Sequence, residues 1–345
     1  PPKSETMNGN SRLSSRSQGQ TMNSAYLGLV ALLSMSFLTC QPTISPKRLA
    51  PTASASVVPF VAPSPSAAPP QDASCSDVHC QSFATAEEAF QFVLKQSPRI
   101  LSIGEFHAQR GYEELPSAVE RFARTMLPAL QGKASDLVVE VWIPPGNCTQ
   151  EQKKVEREQR EVKQQQSKRN PYDYVALAQQ AKKLGIEPFP LRPTCDDFRA
   201  VNSAGDDSIL KMLQLTARML QSGATRAYER SQKKGDSSLI LTFGGAMHND
   251  IRPDHSCGKP CSFGEALVSL TQDHYIELDM VVPEYIEDRD FWRSRSWYKH
   301  YSRSLTDGKA LLLNPAPNSY VLFFPNTPNF KPAVAEPTIN APAPD

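Results

Sequence analysis

Two short apolar runs in this chain end in the same device. Arg99–Ile103 (RILSI) runs into Gly104-Glu105-Phe106-His107, and Ser237–Phe243 (SSLILTF) runs into Gly244-Gly245-Ala246-Met247-His248. In each, a glycine lets the backbone turn off the strand where a side chain would clash, and a histidine follows three residues later. Continuous rather than alternating apolar runs mark strands buried on both faces. Such strands need helices on either side, which constrains the chain to an α/β fold with a mostly parallel central sheet covered by helices. In that class ligands bind at the carboxyl ends of the strands. Both histidines fall there.

The remaining pattern alternates in the same way. Helices are expected over Thr85–Gln96, where Thr85 and Glu88 make a capping box, and over Leu115–Leu130, Tyr172–Leu184, Ser208–Gln232 and Phe263–Leu270. Gly223 is the candidate break in the fourth of these. Strands are expected over Asp136–Trp142 (DLVVEVW), over Ile186–Leu191, weakened by two prolines, and over Tyr275–Val282. Leu311–Leu313 and Tyr320–Phe324 read as a terminal hairpin. The run Glu151–Arg169 mixes Lys, Arg, Glu and Gln with almost no apolar residue, the pattern of a solvated helix.

Both ends of the chain are unlike its middle. Residues 1–40 contain an apolar run, Tyr26–Leu38, shorter than the ~20 residues of a spanning helix. With Arg12 and Arg16 as its positive flank it reads as a secretory leader. Leu38-Thr39-Cys40 resembles a bacterial lipoprotein cleavage box, with Cys40 as the lipidated residue and the membrane reached through that anchor; the expected location is the bacterial cell envelope. Residues 41–73 and 325–345 are Pro/Ala-rich and lack core-forming side chains, so both are expected to be disordered. The folded domain is therefore expected over 74–324. The formal charge of +1 provides no global field for nucleic acid, which is not an expected partner.

An even set of six cysteines follows Cys40, which in an exported chain suggests disulfides. Cys75–Cys80 and Cys257–Cys261 are close pairs with turn residues between them. Cys148 and Cys195 each follow a candidate strand, so a meeting at one sheet edge is the expected pairing among the 15 that six cysteines allow. The rival is a zinc site, although no pair has the spacing of a zinc knuckle.

If the strands are parallel neighbours, Glu105, His107, Glu140 and His248 converge at one edge. His107, His248 and Glu140 would then suit a divalent metal, with Glu105 taking a proton from bound water. Glu140 lies inside an apolar strand, where a carboxylate is costly unless paired or bound to metal. The plainer readings are loop histidines and a Glu140–Arg salt bridge. Asp196-Asp197 could join the cleft, but paired acids that open a helix more often complement its dipole. The aromatic stretch Phe291–Tyr301 reads as packed side chains before it reads as a lid or a membrane contact.

The set ILSIGEFH, a helix opened by Leu115-Pro116, DLVVEVW and LILTFGGAMH resembles the Tiki/TraB superfamily over Arg99–Val282, nearest to its ChaN-like branch. That group also includes the erythromycin esterases. The resemblance places His107 and His248 at the two motif histidines, with Glu105 and Glu140 at the glutamates. It implies a metal-dependent or His/Glu-dependent hydrolase of peptide or ester bonds. The alternative it implies is a haem- or iron-compound-binding protein for uptake, without catalysis. Tyr112, Met247 and His255 are the candidate haem ligands, each ordinarily a solvated or packed residue. The expected ligand is thus a small molecule, a peptide or haem.

Overall fold

The innermost strands are apolar throughout because both of their faces are covered. In a computed structural model that describes residues 78–253 and 257–330, every residue of β2 (Ile100–Glu105), β5 (Leu239–Gly245) and β6 (Tyr275–Val281) is buried. Alternate residues of a strand point to opposite faces. Leu101 and Ile103 accordingly join one apolar cluster with α1 (Ala86–Leu94) and α4 (Asn170–Lys183), while Ile100 joins another with α6 (Ser208–Lys233) and α7 (Gly264–Thr271). The remaining strands are β1 (His79–Phe83), β3 (Ala134–Trp142), β4 (Glu187–Leu191), β7 (Ala310–Ala316) and β8 (Ser319–Phe323).

The sheet has eight strands in the order β1-β7-β8-β6-β2-β5-β3-β4. Pairing is parallel from β8 through to β4 and antiparallel where β7 meets β8 and β1. The α/β class with a mostly parallel sheet is therefore present, and the terminal hairpin forms its antiparallel border. The polar β1 sequence HCQSF has no apolar run and was not foreseen; it is an edge strand that rests on β7. The two prolines of β4 sit in the opposite edge strand, where missing donors are tolerated.

Three expectations change. Leu115–Leu130 is not one α-helix: α2 covers Ala118–Arg121, a π-helical turn covers Phe122–Met126, and a 3-10 turn covers Leu127–Leu130. Pro128 explains the change, because it has no N–H for the ladder and its ring would crowd the carbonyl four residues back. Gly223 does not break α6, which runs unbroken; a Cβ there would lie 2.7 Å from Val138 Cγ1, so the glycine lets the helix sit close on β3. Within the expected tail 325–345, residues up to Phe330 are held by the domain. Asn326 bonds to Thr306, Arg303 and Asp307, and the Phe330 ring stacks on Tyr112 at 5.8 Å.

Disulfides join Cys148 to Cys195 and Cys257 to Cys261, as the sequence suggested. Cys80 is also disulfide-bonded, and its expected partner Cys75 lies outside the described residues. So do the leader, Cys40, the 41–73 segment and His255. No helix of the described residues is long and apolar enough to cross a membrane. The polar helix α3 (Thr149–Val162) is mainly solvated, but Val155 is buried in a small cluster with Phe198, Val201, Met212 and Leu215.

The fit of α6 on β3 gives a direct test. Gly223→Ala should raise intrinsic helix propensity by roughly 1 kcal/mol, yet overpacking against the stiff Val138 should cost about 1–3 kcal/mol. A net loss of stability in urea denaturation is expected; a gain would show that the two elements have room to separate.

Candidate active site

The register of the three central strands decides what meets at their carboxyl ends. Gly104 of β2 lies level with Gly244 of β5 and Asp279 of β6, and Glu105 lies level with Gly245 and Met280. Beyond Gly245 the chain folds back over β2, with the Ala246 N–H donating to the Glu105 carbonyl at 3.1 Å.

Glu105 points to the α4 face and is almost fully buried (1% exposed). Its Oε1 lies 2.6 Å from His107 Nδ1 and accepts from the Tyr174 hydroxyl at 2.8 Å. Oε2 is buried with no hydrogen-bond partner. The imidazole is partly exposed and turns its other nitrogen outward: Nε2 lies 3.2 Å from the position a Cβ on Gly245 would take. Glu140 Oε2 lies 3.7 Å from the same point and accepts from the Gly245 N–H at 2.7 Å. Glu140 is thus bonded to a backbone donor rather than to an arginine. The missing side chain at Gly245 leaves a gap bracketed by an imidazole and a carboxylate.

Burial alone would press the His107 pKa down. The Glu105 carboxylate beside it and the charge of Glu140 outweigh this and raise it to about 9, against a smaller opposing effect of Lys163. His107 is therefore an imidazolium at neutral pH, ion-paired with Glu105.

His248 takes another direction. It is buried, and its Nδ1 lies 2.8 Å from the Cys261 carbonyl, inside the loop closed by Cys257–Cys261. The structure thus brings Glu105, His107 and Glu140 together. The donor atoms of His107, Glu140 and His248 do not form a group compact enough for one metal, and no step is routed through a metal on them. Among the described residues the set that does converge is Asp250, Glu277 and Asp279, whose donor atoms all lie within 4.8 Å of one another. A cavity of about 190 Å³ touches this set and is also lined by Phe106, Ala246 and Arg295.

The secondary candidates resolve as packing and capping. Asp197 closes a capping box with Thr194 at the start of α5 (Cys195–Asn202), and Asp196 pairs with Arg199. Trp292 and Trp297 are buried, and Phe106 packs 4.8 Å from the Trp292 ring, so the aromatic stretch braces the first motif. The Tyr112 hydroxyl donates to Glu287.

Sequence reasoning missed Tyr174, which stood only within the helix expected over Tyr172–Leu184. It also missed Glu277 and Asp279. Two acids spaced by two inside the apolar strand YIELDMV were a readable signal, of the same kind that singled out Glu140. A scan against family models finds no match for this chain, and searches of curated proteins and of solved structures find none either.

The His107–Glu105 pair has a consequence for stability. Its folded pKa, about 9, exceeds the ordinary 6.5, so the protonated pair stabilises the fold fully below pH 6.5. That contribution is lost as the pH rises through about 9. Denaturation midpoints should fall between these limits in the native protein, and less so in His107→Asn. Equal falls in both would show that His107 titrates normally.

Proposed function

We propose that this domain is a hydrolase of ester or peptide bonds in which His107 and Glu140 transfer protons and Glu105 holds His107 in place. The carrying observation is the buried Glu105–His107 pair, whose free imidazole nitrogen faces Glu140 across the gap at Gly245. Strongly perturbed titrating groups at a strand-end cleft are the usual mark of a reacting site. Glu140 takes a proton from a water in the gap as that water attacks the carbonyl carbon, and His107 gives its Nε2 proton to the departing alcohol or amine. The product acid and the leaving group then separate, and proton exchange with solvent restores both residues.

This assignment moves the base away from Glu105. That carboxylate is closed off from solvent and its Oε1 already serves His107 and Tyr174, so it suits orientation better than attack on water. The motif resemblance to the Tiki/TraB superfamily supports a hydrolytic reading, and it rests on the motif residues alone. We place the domain in the cell envelope as part of the same proposal. Its support is the leader-like sequence and the two disulfides, which persist in oxidising compartments.

A panel of chromogenic esters and peptide amides tests this reading. His107→Gln and Glu140→Gln should each reduce kcat by about 10²–10⁴, and the double variant should lose little more, as residues acting together do. With His107 as the acid, activity should fall as the pH rises through about 9. Glu105→Gln should move that limb to lower pH, because it removes the charge that holds the imidazolium. Absence of turnover across the panel, together with a haem titration that develops a Soret band, would favour the uptake reading instead.

A further inference from the structure

We propose that Asn249, Asp250, Glu277 and Asp279 bind a hard divalent cation, calcium by its donor chemistry, on the sheet face opposite Glu105. Glu277 and Asp279 stand two residues apart on β6, so both side chains emerge on one face. Asp279 lies level with Gly104, and Glu105 is its neighbour on the other face. Asp250 comes from the loop that follows β5, and its donor atom lies within 4.8 Å of those of Glu277 and Asp279.

Two of these carboxylates are buried, at 6% and 5% exposure. Glu277 accepts on both oxygens: the Ile251 N–H donates to Oε2 at 2.6 Å and the Ser319 hydroxyl to Oε1 at 2.8 Å. Asp279 Oδ1 accepts from Asn249 Nδ2 at 3.0 Å. Carboxylates gathered this closely favour a positive charge beside them. Arg252 and Arg295 line the adjoining cavity.

A separate observation points to an ion. Asn249 is 1% exposed, and its Oδ1 is buried without a hydrogen-bond partner. With Nδ2 committed to Asp279 and to the Ser102 carbonyl, the amide cannot turn over to relieve this. Oδ1 and Asp279 Oδ1 both press on the same side of Gly104, Oδ1 of Asn249 lying 2.5 Å from where a Cβ would stand. A buried oxygen that only accepts, set at the edge of a group of carboxylates and with no donor of its own, is a ligand for a cation. The set is all oxygen, which selects hard cations. Calcium bonds of about 2.3–2.6 Å span it more readily than the rigid, shorter bonds that magnesium demands.

Calorimetric titration of the chelator-treated full chain with calcium, magnesium and manganese tests the site. We expect one calcium per chain, tighter than magnesium or manganese, and a calcium-dependent rise in melting temperature. Asp250→Asn should weaken calcium at least tenfold. Glu277→Gln should weaken it as well. Because Glu277 also anchors two hydrogen bonds and that variant could fail to fold, the less buried Asp250 carries the test. His107→Gln should leave calcium binding intact, which separates this site from the proposed catalytic one. Three results would overturn the proposal: no binding of any of the three cations at millimolar concentration, no preference for calcium, or affinity unchanged in Asp250→Asn.

Discussion

The absence of a side chain at Gly104 is the constraint on which both charged clusters depend. A Cβ there would meet the Ala246 Cα at 2.6 Å and Asn249 Oδ1 at 2.5 Å. Without one, the loop after β5 lies directly on the end of β2, fixed by the Ala246 N–H to the Glu105 carbonyl. That placement aims the Gly245 N–H at Glu140 and leaves the gap beside His107 open. On the other face the same loop delivers Asn249 and Asp250 to the acids of β6. One close contact between a glycine and a returning loop therefore sets two charged clusters back to back across the sheet.

Burying charge at the centre of a sheet is costly, and the chain meets the cost by pairing. Glu105 receives both an imidazolium and a tyrosine hydroxyl on one oxygen. The Tyr174 bond comes from the middle of α4, a rigid element packed on β3, so the carboxylate is fixed before any ligand arrives. Phe106 is braced from the opposite direction by Trp292 and Trp297. Such supports keep the Glu105–His107 pair in one geometry, a condition for the proton transfer proposed for it.

The periphery is secured by other means. Cys148–Cys195 ties the start of α3 to the start of α5, with a Cα separation of 5.4 Å. This explains how a helix as polar as α3 stays docked: it offers little apolar surface beyond Val155, and the covalent link holds its first turn to the small cluster around Phe198. Cys257–Cys261 closes the loop whose carbonyl at Cys261 receives the His248 ring. The second motif histidine thus serves the loop that carries Asn249 and Asp250, an architectural task rather than a share in the gap at Gly245.

The α/β class, most of the helices and strands, and the prominence of Gly104, Glu105, His107 and Glu140 were legible in the residues. Continuous apolar runs can be buried only between two helical layers, and a glycine followed by a histidine at a strand end is a local pattern. The pairing of Cys148 with Cys195 and of Cys257 with Cys261 was legible for the same reason, as neighbourhood in the chain or at strand ends. What lay beyond local pattern depended on which strands became neighbours and on the direction each side chain took. The order β6-β2-β5-β3 sets Glu140 beside Gly244 and Asp279 beside Gly104. Two histidines in matching positions then diverge, one to a carboxylate and one to a loop carbonyl, because the loops that follow their strands turn differently. Register and loop closure are long-range properties, settled by packing over the whole sheet, and no window of sequence contains them.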